Sequence, residues 1–175
     1  MSDENPTREV TIDKVVINIG VGEGGEKLER AKKVLEILTG RKPIQTIAKR
    51  TIRDFNIRKK QAIGTKVTLR NEEAENFLKR ALWVKNFKIP QYSFDSGGNL
   101  NFGIKDYTSF EGIKYDPEIG IFGMDISVNF KRKCGFRIER RVVNRKKLPK
   151  KERISREEAM EFIKKKFGVE ILEVK

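Results

Sequence analysis

Between Gly40 and Arg70 ten lysines or arginines stand against a single acid, Asp54. Arg41, Lys42, Lys49, Arg50, Arg53, Arg58, Lys59, Lys60 and Arg70 surround one aromatic residue, Phe55. Guanidinium groups fork onto the paired oxygens of a phosphate, and an exposed ring stacks on a base or a ribose. This combination suits recognition of a folded nucleic acid. A disordered cationic tail would lack apolar residues, yet Ile44, Ile47, Ile52, Ile57, Ile63, Val67 and Leu69 recur among the charges. The bases therefore stand on a scaffold. Asn18 and Thr68 could add polar contacts from a sheet face. A second run, Lys131–Arg156, holds thirteen bases against two acids. Its Lys131, Arg132, Lys133, Arg137, Arg140, Arg141, Arg145, Lys146 and Lys147 suit sequence-independent contact with a phosphate backbone.

Charge distribution supports the same chemistry. The 39 bases and 25 acids leave a net charge of +14, and all of the excess falls in these two segments. Phosphate is the natural partner; an acidic protein or an anionic membrane fits less well.

Enzyme chemistry finds little support. The chain has no histidine, which removes the commonest general base and the commonest metal ligand. Glu72 with Glu73, and Asp116 with Glu118, read as a helix start and a loop, with no third ligand at metal spacing. No metal or cofactor is expected. Gly20-Val21-Gly22-Glu23-Gly24-Gly25 satisfies G-x-G-x-x-G and raises the rival reading of a small nucleotide-dependent enzyme. Against it, Glu23 lies inside the would-be phosphate cradle, Glu26 opens the next helix, and the following strand leads to Lys49, Arg50 and Arg53 instead of a ribose-binding acid. A tight turn before a helix explains the pattern. Cys134 is the only cysteine, so an intrachain disulfide is impossible, and a reducing cytoplasm fits better than secretion. No apolar run approaches the roughly 20 residues of a membrane span, and MSDENPTREV lacks signal-peptide regions.

The elements that position these residues follow from periodicity. Val10–Ile19 alternates as a strand ending at Gly20. Leu28, Ala31, Val34, Leu35 and Leu38 form the inner face of a helix over Glu26–Thr39, stopped by Gly40. Ile44–Ala48 and Ala62–Arg70 predict two strands of a hairpin with a long basic tip. Asn71 is the expected cap of a helix running to about Asn86, with Ala74, Phe77, Leu78, Ala81, Leu82 and Trp83 inward. Strands follow near Leu100–Asp106 and over MDISVNF. Ser155 and Glu158 form a capping box for a helix ending at Phe167 before Gly168, and VEILEV reads as a strand. The expected architecture is a single α+β domain over residues 1–175. It has an antiparallel or mixed sheet, helices packed mainly on one face, and projecting basic loops.

Several of these segments carry a resemblance. KVVINIGVGEGGEKLERAKKVLEILTGRKPIQTIAKRTIRDFNIRKKQAIGTKVTLR, then FLKRAL, SFDSGGNLNFGIKD and EIGIFGMDISV, resemble large-subunit ribosomal protein five, the universal 5S rRNA-binding family. The likeness runs in order from about residue 8 to residue 130, and more loosely to the last helix and strand. The short N-terminus and the basic region after MDISVNF are similar to the archaeal type. The resemblance implies a structural ribosomal protein whose sheet face, near Asn18, Arg41, Lys42, Phe55, Thr68 and Arg70, docks on 5S rRNA. It implies that the protein joins this RNA to the large-subunit rRNA in the central protuberance, among that region's other proteins. The loop from Lys49 to Lys60 would reach the peptidyl-site tRNA, and another exposed part would bridge to small-subunit protein thirteen. Two positions depart from the family pattern. Arg41 stands where glutamine is usual, so a phosphate contact could replace an amide hydrogen bond. Asn56 stands where glycine is usual, and asparagine tolerates the left-handed backbone better than most residues.

Overall fold

The computed structural model describes residues 8–133, 135, 141–149 and 152–172. β-Branched alternation makes Val10–Gly20 the strand β1, with Val15, Ile17 and Ile19 buried on one side. Helix α1, Glu26–Thr39, presents its expected apolar stripe inward and ends at Gly40, whose φ of 65° takes the left-handed cap conformation. β2, Ile44–Ile47, and β3, Ala62–Leu69, are the two limbs of the basic hairpin.

Helix α2, Asn71–Val84, follows directly. Arg70 is its N-cap residue in extended conformation, and Asn71 at φ 55° turns the chain from strand to helix without a side-chain cap. The expected asparagine cap is thus replaced by a backbone turn, because a capping side chain needs extended backbone at its own position. Trp83 is 52 % exposed, against expectation. It lies one helical step beyond Leu82, on the azimuth of Asn76, Lys79 and Arg80, so helical geometry turns it out.

The remaining strands are β4, Lys88–Pro90; β5, Leu100–Ile104; β6, Met124–Arg132; and β7, Glu170–Leu172. Helix α3, Arg156–Phe167, begins at the expected capping box: Ser155 Oγ accepts from Glu158 N at 3.2 Å, and Ser155 N donates to Glu158 Oε2 at 3.2 Å. β6 extends further than expected and takes Lys131 and Arg132 out of the second basic segment. β4, which periodicity does not reveal in three residues, pairs in parallel with β7 as a separate two-stranded sheet.

The main sheet has the order β2-β3-β1-β6-β5, and every neighbouring pair is antiparallel. β1 and β2 consequently run parallel with β3 between them, a split βαβ unit crossed by α1. One face of this sheet, through Val15, Ile17, Val67, Ile126, Val128 and Leu100, packs on Leu35 of α1, Leu78 and Leu82 of α2 and Ile163 of α3. Each such aliphatic side chain contributes about 1.5–3 kcal/mol by burial.

Directly paired residues of antiparallel strands project from the same face, so the register defines the opposite side. Ile44, Lys66, Asn18, Asp125 and Gly103 form one row across all five strands. Thr68, Val16, Ser127 and Asn101 form the next. None of these residues is buried, and no helix among the described residues covers them. The α+β expectation of helices on one face holds, and the other face is left open and polar.

Candidate nucleic-acid interface

At the β2–β3 side of the open face lies a concavity of about 790 Å³. The turn after α1 supplies Arg41 and Lys42, β3 supplies Lys66 and Thr68, and Arg70, Asn71, Glu72 and Glu73 close it at the start of α2. The left-handed Gly40 cap directs the chain so that Arg41 faces α2 across the opening. There the Arg41 guanidinium forks onto Glu73: Nε donates to Oε2 at 3.1 Å, and Nη2 donates to Oε1. These hydrogen bonds, with the opposite charge, hold the Glu73 carboxyl below its ordinary range and push the Arg41 guanidinium above its own. Arg70 Nη1 lies 3.3 Å from Asp13 Oδ1, and Lys131 Nζ lies 3.0 Å from the same oxygen. Asp13 occupies the β1–β6 register shift, which lets one carboxylate serve both bases.

Four of the expected RNA-docking residues, Arg41, Lys42, Thr68 and Arg70, therefore meet in one concavity. Asn18 sits on the next strand, paired with Lys66. Phe55 does not join them. Lys66 is not singled out by the sequence, although its alternation with Thr68 on β3 places it on the same face. Glu73 and Asp13 carry no local signal of their roles.

Phe55 instead stands at the apex of the hairpin, 71 % exposed. Ile52 and Ile57 exchange two backbone hydrogen bonds of 2.9 and 3.0 Å, and Asn56 N donates to Arg53 O at 3.0 Å. Asn56 closes this turn at φ 53°, the conformation expected of the residue replacing glycine. Lower down, Ala48 N donates to Gln61 O, Lys60 N to Ala48 O, and Lys59 N to Thr51 Oγ1 at 2.8, 2.9 and 3.0 Å. Lys49, Arg50, Arg53, Arg58, Lys59 and Lys60 are exposed around this hydrogen-bonded frame. The tip is a built cationic projection.

The second basic segment divides. Lys131 pairs with Asp13, and Lys133 Nζ lies 2.7 Å from Glu9 Oε2. Arg132 is only 12 % exposed at its side chain and donates to both oxygens of Glu158 at 3.1 and 3.0 Å. It joins β6 to the capping box of α3. Arg141, Arg145, Lys146 and Lys147 are exposed, and Leu148, next in sequence, is buried. Arg137, Arg140 and Cys134 lie outside the described residues.

The glycine turn offers no phosphate cradle. Ile63 is skipped in the β2–β3 pairing, and its carbonyl accepts from Val21 N at 3.0 Å and Gly22 N at 2.8 Å. Two of the turn's amides, those of Val21 and Gly22, are therefore turned inward onto the strand and not toward a ligand. Glu23 pairs with Lys27, and Gly25 simply precedes α1. Among the described residues no three acidic or sulfur groups converge on a metal position, and no helix is long and apolar enough to cross a membrane.

The family model for ribosomal protein L5 matches residues 5–58, and that for the C-terminus of the same ribosomal family matches residues 62–162. The chain belongs to the ribosomal protein L5 family. It is similar to large ribosomal subunit protein uL5 of Picrophilus torridus, at 59% identity over 169 residues, covering 97% of this chain and 96% of that protein. The corresponding protein of Thermoplasma volcanium is 57% identical over 168 residues, covering 96% and 99%. That of Sulfurisphaera tokodaii is 51% identical over 170 residues, covering 97% and 96%. The chain is of the archaeal type, a structural component of the large ribosomal subunit and not an enzyme. The two family matches meet in the returning limb of the hairpin tip, yet β1 and β2 from the first and β3, β5 and β6 from the second join one sheet.

Proposed function

We propose that this chain binds 5S rRNA and attaches it to the large-subunit rRNA in the central protuberance of the cytoplasmic ribosome, as one RNA-binding unit among that region's other proteins. The observation that carries this reading is the open sheet face, covered by no helix among the described residues and bordered by a concavity lined with Arg41, Lys42, Lys66 and Arg70. Side chains cannot enter the deep groove of an A-form helix, so a flat polar face reads RNA by its shape, its ribose hydroxyls and its unstacked bases. Arg41, Lys42 and Arg70 take phosphates at one side, while Asn18 and Thr68 supply neutral contacts on the sheet. The hairpin tip, with Lys49, Arg50, Arg53, Phe55, Arg58, Lys59 and Lys60, reaches the peptidyl-site tRNA and adjacent rRNA. Another exposed surface forms the bridge to small-subunit protein thirteen. Arg141, Arg145, Lys146 and Lys147 provide further phosphate contacts, together with Arg137 and Arg140 outside the described residues.

The test is binding of the purified chain to 5S rRNA at about 150 mM salt with excess tRNA as competitor, beside a variant altered only in the tip, the Arg53→Ala, Phe55→Ala, Arg58→Ala triple substitution. A competitor-resistant complex that the triple variant retains supports separate docking and tRNA roles. Binding erased by tRNA would reduce the protein to a generic polycation and sink the reading.

A further inference from the structure

Resting on the RNA-binding face just proposed, we infer that Asp125 is a specificity-determining residue of that face, accepting hydrogen bonds from donor groups of the RNA, a ribose 2′-hydroxyl or a base amino or imino group. Asp125 lies on β6 in the row Lys66, Asn18, Asp125, Gly103. It is exposed, and its carboxylate makes no hydrogen bond or ion pair among the described residues. Its neighbour across the strand pair is Gly103, where an added Cβ would lie 3.4 Å from Asp125 Oδ1. The carboxylate thus lies beside a position with no side chain, so that neighbour does not cover it.

A carboxylate on a surface that meets a polyanion repels any phosphate brought to it. It is satisfied only by a donor, and RNA offers donors on its riboses and on the edges of unpaired bases. Lys66 and Asp125 are two strands apart, about 10 Å. That span fits a phosphate at Lys66 with the edge of its own base, or the ribose of the adjoining nucleotide, at Asp125. Asn18 stands between them and can donate and accept. The row therefore orders a phosphate site, an ambivalent amide and a donor-only site. An RNA that offers phosphate throughout is rejected at the third position, which makes the acid a discriminating element instead of a defect in a basic surface.

Simple charge counting predicts the opposite sign for loss of this acid, so the two accounts separate in a binding experiment. The full chain, Asp125→Ala and Asp125→Asn would be titrated with 5S rRNA and with tRNA, after thermal melting shows that both variants fold. Asp125→Ala should weaken the 5S complex about tenfold while tRNA binding stays level or tightens. Asp125→Asn, which retains one acceptor, should fall between. Interference mapping with 2′-deoxy and inosine analogues of 5S rRNA then separates the two donor sources: sites of interference seen with the native chain and lost with Asp125→Ala mark a ribose or a guanine amino group. Equal tightening of both RNAs, equal weakening of both, or no change would each overturn the inference. Absence of 5S preference in the native chain would overturn the reading of the face itself, whereas a native preference that Asp125→Ala leaves intact overturns only the role of Asp125.

Discussion

Arg41 illustrates how a residue's surroundings define its chemistry. Its fork is shaped for phosphate, yet in the unbound protein Glu73 occupies it, so an RNA phosphate must exchange with a carboxylate. Because the two hydrogen bonds favour the charged form, the folded-state titration of Glu73 lies below its unfolded one. The pair's contribution to stability is therefore present above the ordinary glutamate value near pH ~4.3 and is lost as pH falls through the lower folded value. A carboxyl-carbon NMR titration should place Glu73 below the ordinary range and return it there in Arg41→Gln; identical midpoints would show that the pair does not persist in solution. Asn56 carries a second residue-scale prediction. At φ 53°, Asn56→Val should open the turn by about 1–2 kcal/mol, read as faster amide exchange at Ile52 and Ile57, whereas Asn56→Gly should leave both protected.

At the scale of elements, caps and bulges place the functional groups. Glu158 closes the α3 capping box and also receives Arg132, so one side chain ties the helix start to the end of β6. Ser155→Ala should lower unfolding stability by about 1 kcal/mol in denaturant titrations. A null effect would mean that Arg132 alone secures this helix end. In β3, a Cβ on Gly64 would meet Ile19 O and Thr46 Oγ1 at 2.8 Å each. Gly64→Ala should therefore cost about 1–3 kcal/mol in thermal or denaturant unfolding, because backbone as well as a hydroxyl must move. The adjacent bulge at Ile63 is what turns a carbonyl toward Val21 and Gly22. Strand irregularity thus adds to the carboxylates of Glu23 and Glu26 in disarming the glycine turn as a nucleotide site.

For the whole molecule, the net charge of +14 and the two separate cationic regions predict binding dominated by counterion release. If six to ten phosphates are neutralised, affinity for 5S rRNA should fall by roughly 10³ to 10⁵ between 50 and 200 mM salt, taking the duplex DNA slope as an upper guide. A filter-binding series that shows no salt dependence would contradict this mechanism. The open face and the projecting tip point to two contacts with different partners, so variants of Arg70 and of Arg53 should affect different binding reactions.

Much of this architecture is legible along the chain because it is local. The ends of α1 and α3, the buried stripes of α1 and α2 and the alternation of β1 follow from helical and strand periods and from Gly40, Gly168 and Ser155. The family is legible too, because its motifs are contiguous segments in a fixed order. Partners distant in sequence are different. Arg41 with Glu73, Arg70 and Lys131 with Asp13, Arg132 with Glu158, and β4 with β7 depend on which elements the fold brings together. Lys131, Arg132 and Lys133 look alike as a basic run, yet they meet three different carboxylates, Asp13, Glu158 and Glu9. Composition and periodicity determined that the chain carries folded cationic surfaces; the strand register alone decided that Asp125 stands in line with Lys66 and Asn18, because cross-strand neighbours are set by pairing and not by proximity in sequence.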